Sequence, residues 1–190
     1  EMCIRDRPQH YLQSVILQIG GNVEVQQILK EQRKNPDGTI SIEYVRKVFY
    51  KDVKPWGLQA YDAASGERVW VSERFKKGIS NSFAINNDVL VSSGKALYKL
   101  KIADGADVYE VALKDDGIGR GEKLLLHGEK AIVVGSKGVS SHNISDGKLN
   151  ASGKYKNSSL MASKGDYLIM KTAKSDIAAF NMNNCKYKQF

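Results

Sequence analysis

The chain has 190 residues, an apolar fraction of 42% and a formal net charge of +8. These values exclude an intrinsically disordered chain and fit one sizeable globular domain, and no stretch approaches the roughly eighteen apolar residues of a membrane-spanning helix. Seventeen Gly against three Pro, with Val, Ile, Leu, Tyr and Phe in short runs, point to strands and tight turns. Lysine carries most of the positive charge: residues 150–190 hold seven Lys and no Arg against Asp166 and Asp176. The fork-like arginines that favour phosphates and base edges are few, so a solvated lysine-rich surface is expected and nucleic acid is not an expected partner. Two cysteines, Cys3 and Cys185, do not make a disulfide framework.

In chain order, residues 1–7, EMCIRDR, have no capping residue, no alternation and no signal-peptide core. They resemble the in-frame translation of a transposase sequencing adapter. That reading removes Cys3 and Met2 from the natural protein and leaves the true N-terminus, with any signal peptide or lipid anchor, upstream. Residues 8–57 read as an irregular β segment or first blade with an extended hairpin: YLQSVILQI, VEVQQILK and TISIEYVRKVFY look like long strands joined at Gly20-Gly21 and Pro36-Asp37-Gly38. A short helix over Val25–Lys34 is the alternative, because Gln, Leu, Lys and Glu are good helix formers.

From residue 58 to 190 the chain repeats. GLQAYDAASGERVW, ALYKLKIADGADVY, GVSSHNISDGKLNA and DIAAFNMNNCKYKQ align on Gly66, Gly105, Gly147 and Cys185, at spacings of 39, 42 and 38 residues. A period near 40 is that of one four-stranded propeller blade. Leu58, Leu97, Val139 and Ile177 form one column, and Tyr61, Leu100, His142 and Phe180 another of opposite parity. Both faces of the strand are therefore expected to be buried, as in a sheet sandwiched between two neighbours. The anchor glycine suits a turn with positive φ. In the fourth unit Asn183 or Asn184 is expected to take that conformation beside Cys185. Upstream of the last three anchors, turns at Asn86-Asn87, Gly128-Glu129 and Gly165-Asp166 separate paired apolar runs, each reading as a hairpin. Four strands per unit give an all-β fold: a partial β-propeller of about four four-stranded antiparallel blades.

The segment AYDAASGERVW resembles the signature of the PQQ-like, or quinoprotein-like, propeller repeat, with Ala60, Asp62, Gly66 and Trp70 matching it. The Trp place passes to Tyr109, Ala151 and Gln189 in later units. Rings of this family typically have seven or eight blades, so the resemblance implies that blades lie outside this chain, and an open ring exposes apolar faces.

No constellation of residues in the sequence points to catalysis. His10, His127 and His142 lack ligand spacing, and His142 reads as a packed blade-face residue. Asp115-Asp116 with Gly117, Gly119 and Gly121 reads as a connecting loop: a phosphate cradle needs a helix after it, and a calcium loop needs more oxygen ligands. Ser92-Ser93, Ser140-Ser141 and Ser158-Ser159 have no base near them and read as surface or turn residues. Asn143, Asn150 and Asn157 head Asn-x-Ser sequons, which matter only in a eukaryotic secreted protein. No catalytic, cofactor-binding or metal-ligating residue is assigned, and no cofactor is expected.

The family resemblance implies a non-catalytic platform that binds other proteins through its blade loops, in outer-membrane protein assembly, with a periplasmic or cell-envelope location. The alternative it implies is a fragment of a PQQ-dependent dehydrogenase, with a quinone stacked on a Trp and a bound calcium. Trp56 and Trp70 are the tryptophans present, and adjacent cysteines are absent. Re-sequencing the locus from an independent library should return an open frame continuing upstream of Pro8 without residues 1–7; the same seven codons in that library would retire the adapter reading.

Overall fold

The computed structural model describes residues 9–11, 14–155, 159–171 and 177–189; the adapter-like residues 1–7, Ser158 and the Asn157 sequon lie outside them. The described residues fold into four antiparallel sheets of four strands, each a simple meander in chain order. The first holds β1 (Gln9–Tyr11), β2 (Ser14–Lys34), β3 (Ile40–Asp62) and β4 (Arg68–Ser72). The second holds β5 (Ile79–Ile85), β6 (Asp88–Ser93), β7 (Ala96–Lys101) and β8 (Asp107–Ala112). The third holds β9 (Gly121–His127), β10 (Lys130–Gly135), β11 (Gly138–Asn143) and β12 (Leu149–Lys154). The fourth holds β13 (Ser159–Lys164), β14 (Tyr167–Lys171), β15 (Ile177–Asn181) and β16 (Tyr187–Gln189). These are the blades of a partial β-propeller, and the three expected hairpin turns sit between β5 and β6, β9 and β10, and β13 and β14, each opening on a positive φ at Asn86, Gly128 or Gly165.

Three cores fill the spaces between the four blades. Strand alternation sends successive side chains into different cores: Val89 and Val91 of β6 pack toward the first blade, and Leu90 between them packs toward the third. In β10, Ala131 and Val133 face back toward the second blade while Ile132 and Val134 face the fourth. Burial on both faces explains why these strands are continuous apolar runs rather than alternating ones. Of the two columns, Leu58, Leu97, Val139, Leu100, His142 and Phe180 are fully buried, and Tyr61 on the first blade is only half-buried. Ile177 departs from the expectation and is 54% exposed, because among the described residues no sheet covers the far face of the fourth blade.

The repeat signature works as a latch between blades. Trp70, at the end of one blade, lies against the turn glycine of the next, where a Cβ on Gly105 would stand 2.9 Å from the indole, and its Nε1–H donates to the Ile102 carbonyl at 2.6 Å. One blade on, Tyr109 covers Gly147 in the same way and its hydroxyl donates to the Ile144 carbonyl at 3.2 Å. At the third junction both partners change together. Ala151 stands in the aromatic place, and Cys185 itself takes the positive φ of 52°, not Asn183 or Asn184. With no ring above the turn a Cβ fits, and the Cys185 thiol points at the Ala151 carbonyl, 3.4 Å away.

The stretch 8–57 is continuous with the repeat region, since β3 runs unbroken through position 57. β2 covers the whole of Val25–Lys34, so the helical alternative is overturned. Pairing decides it: each residue of that stretch has a partner in the β-branched and aromatic strand Ile40–Phe49, and this outweighs a propensity of a few tenths of a kcal/mol per residue. Beyond the blade, residues 21–34 pair with 40–53 as a two-stranded arm about 45 Å long. The arm leaves the blade at a register shift between Ile19 and Gly21, where Gly20 has positive φ and a Cβ on it would collide with the Pro55 carbonyl oxygen.

The exchanged pair at the third junction predicts a coupled response. Ala151→Trp alone should overpack against Cys185 and lower stability by about 1–3 kcal/mol. Adding Cys185→Gly should recover a substantial part, as measured by a denaturant double-mutant cycle; strictly additive effects would show that the two positions do not form one latch.

Candidate functional site

The loop between the second and third blades brings together polar residues that are far apart in sequence. Alternation on β11 puts Ser140 and His142 on one face, and the loop turns Asp116 inward onto them. His142 Nδ1 lies 3.0 Å from the Gly147 carbonyl, which can only accept, so that nitrogen carries a proton. Its Nε2 faces both Ser140 Oγ at 2.9 Å and Asp116 Oδ2 at 3.1 Å. Burial pushes the Asp116 carboxyl above the usual carboxylate range, and the neighbouring His142 and Ser140 pull it back. A nucleophilic triad needs hydroxyl and carboxylate on opposite ring nitrogens, with the hydroxyl open to substrate. Here both meet one nitrogen, and Ser140 and His142 are fully buried. The cluster therefore braces the loop against the third blade.

His142 is a packed residue, as its column implies, but the serine reading needs correction. Ser92, Ser93, Ser140 and Ser141 are buried strand residues rather than surface or turn residues, and Ser140 has an imidazole two positions along. A spacing of two on a strand was the signal that could have found the pair. The other candidates do not converge. His127 pairs with Asp166 at 3.0 Å, between hairpin ends of the third and fourth blades, and His10 lies on β1. In the Asp115–Gly121 loop, Gly117 and Gly119 have positive φ and Asp116 is spent on His142.

The quinone alternative asks for an indole free to stack on a cofactor and for oxygen ligands to calcium. Trp70 is buried at the blade junction, and Trp56 donates to Asp52 at 2.7 Å with Lys54 Nζ 5.0 Å from its ring centre. Among the described residues no group of three or more His, Cys, Asp or Glu could hold a metal ion. The described residues thus do not fit that group.

What these residues do offer is exposed apolar surface. The far face of the fourth blade presents Tyr167 and Ile177, with Ile169 and Ala179 lining a hollow between them. Val69 and Val71 are exposed on the opposite end blade. The arm carries more: Ile28, Ile40, Ile42, Tyr44, Val48 and Tyr50 are all exposed, and Tyr44 is 71% so. The register places all six on one face of the ribbon. The long strands of the arm and their extended hairpin were readable in the sequence; the apolar face that the register assembles was not.

A meander of four-stranded sheets, sandwiched face to face and latched by an aromatic residue over a turn glycine, defines a β-propeller of PQQ-like repeats. Residues 57–187 match the family described as outer membrane protein assembly factor BamB, and the chain belongs to that family. Solved structures similar to it include BamB from Moraxella catarrhalis, with 12% identity and a TM-score of 0.53 over 94% of this chain and 61% of that one. The computationally designed Ika8 protein matches at 11% identity and a TM-score of 0.57, over 96% of this chain and 60% of Ika8. Sqt1 of Saccharomyces cerevisiae matches at 10% identity and a TM-score of 0.55, over 93% of this chain and 57% of Sqt1. At such identities the likeness concerns the fold, and this chain spans about 60% of the length of those proteins. No curated protein matches the chain. Among the described residues no helix is long and apolar enough to cross a membrane.

Cys185 offers a direct check on reactivity. Burial pushes its thiol up to about 11. In a Cys3→Ser chain at pH 8, a disulfide reagent should label Cys185 on the order of 100-fold more slowly in the native state than in denaturant. A raised thiol pKa favours the native state below the unfolded value of about 8.5, and that contribution should fade as pH climbs from there toward 11. Equal labelling rates would show the site to be open.

Proposed function

We propose that this chain is a non-catalytic protein-binding platform of the bacterial cell envelope, acting in outer-membrane protein assembly. The family match over residues 57–187 supports the process and the periplasmic location. The observation that carries the platform reading is the division of its side chains. Polar groups that could do chemistry are buried in structural contacts, as in Ser140–His142–Asp116, while apolar side chains that could hold a partner stand exposed on the arm and end blades. A protein that works by binding needs the second and not the first.

The test is affinity capture with the full chain as bait from a bacterial envelope extract. Recovery of components of the outer-membrane barrel assembly machinery, reduced when Tyr44 and Ile42 are changed to Asp, is the expected result. Incubation with pyrroloquinoline quinone and calcium should leave the chain without a bound-cofactor spectrum. Such a spectrum accompanied by dye-linked alcohol oxidation would overturn the platform reading in favour of a quinone-dependent oxidoreductase.

A further inference from the structure

The arm is a two-stranded ribbon with free edges, an arrangement marginal in water unless something covers it. Among the described residues, β4 pairs with β3 only at 58–61, so no strand lies along the outer edge of β3 from Ile40 to Val53, and such an edge is a template for pairing. The exposed apolar row lies on this same strand, at Ile40, Ile42, Tyr44, Val48 and Tyr50. Five of the six apolar residues on that face belong to β3 and only Ile28 belongs to β2, which singles out the β3 edge.

We propose that this edge pairs with the same edge of a second copy of the chain, antiparallel about a two-fold axis through Val45. A two-fold perpendicular to the sheet keeps the faces matched only if paired positions sum to an even number. With the axis at Val45, Ile40 meets the second copy's Tyr50, Ile42 meets Val48, Glu43 meets Lys47, Tyr44 meets Arg46, and Val45 meets itself. By symmetry each unlike pair occurs twice. Residues 40–50 thus form an unbroken ladder about twice the length of an average strand, with two apolar pairs, an aromatic–guanidinium pair and an opposite-charge pair, each repeated. Neighbouring registers lose this match. An axis at Glu43, Arg46 or Lys47 sets like charges directly opposite, and one at Tyr44 places Ile42 against Arg46 and Ser41 against Lys47.

The ribbon's own charges point the same way. Glu31 and Glu43 stand directly opposite each other across the arm, an unfavourable pairing. Lys47 already contacts Glu31 on that face and Arg33 reaches Glu43 at 3.7 Å. Lys47 of a second copy would add a cation on the open side of Glu43. The chain is 21.1 kDa, so the pair would be about 42 kDa, with the blades at opposite ends of a four-stranded sheet.

Sedimentation of the full chain should show this dimer. Glu43→Lys and Lys47→Glu should each weaken it about tenfold or more. The double variant carrying both should return to within about threefold of the original, and a mixture of the two single variants should form a mixed dimer. In a Cys3→Ser background, Val45→Cys should cross-link two copies under mild oxidation, whereas Val48→Cys should not. A monomeric parent chain, an association indifferent to both charge reversals, as contact through the open blade faces would give, or a double variant that fails to recover would each overturn the proposal. Circular dichroism of every variant should retain the parent strand signal. If either charge variant unfolds, the cysteine pair decides the register by itself.

Discussion

Every blade depends on being covered on both faces, and one strand of alternating side chains must satisfy two cores at once. β6 and β10 show the constraint most directly, with neighbouring residues committed to different cores. A fully buried aliphatic side chain contributes about 1.5–3 kcal/mol, so removing one blade would strip that contribution from a whole face of each neighbour. The sheets are therefore not independent units, and exposure rises wherever the stack stops. Ile177 and Tyr167 at one end, and Val69 and Val71 at the other, are exposed for that reason.

The aromatic latch registers one blade against the next, and it can change composition without being lost. Trp70 over Gly105 and Tyr109 over Gly147 each combine ring contact with a hydrogen bond to the carbonyl three residues before the turn glycine. At the third junction the large residue gives way to Ala151 and the glycine to Cys185, so volume removed on one side is partly returned on the other. The fading of the repeat signature along the chain is thus in part a compensated exchange. Reading each column alone sees two departures, whereas reading the pair sees one contact.

The fold was legible because repeats and turns are local: the anchor spacing, the three hairpin turns and the two columns of opposite parity depend on residues within one unit. What was not legible depended on residues far apart. The strand state of Val25–Lys34 is set by its partner 40–49, which propensity cannot see. The left-handed conformation of Cys185 is permitted by Ala151, and the Asp116 contact to His142 needs a loop to fold back onto β11. Ser140 and His142, two apart on one strand, share a face by period two, so their contact is legible locally as packing. Ile177 sits in an aliphatic column like the others, and only the absence of a covering sheet among the described residues separates it from them.

The arm breaks the rule that the blades obey. In β6 and β10 apolar residues run consecutively, the pattern of a strand covered on both faces, and both faces are covered. In β3 the stretch ISIEYVRKVFY places apolar residues on all but one of its even positions, the pattern of a strand with one covered face, yet that face is exposed from Ile40 to Tyr50; on the odd face Phe49 is exposed as well, while Val45 is half-buried. On the odd face the charged residues are zipped to one another across the ribbon through Arg33–Glu43 and Lys47–Glu31, which is how a solvent-facing surface is satisfied. On the even face, Lys30, Lys34 and Arg46 have no carboxylate within ion-pair distance among the described residues, and they interrupt or flank the apolar row without covering it. A surface patterned as an interior, on an element that takes no part in any blade core, is explained by contact with something outside this chain. The propeller repeat supplies a rigid base for that contact, and the arm, which owes nothing to the repeat, supplies the surface.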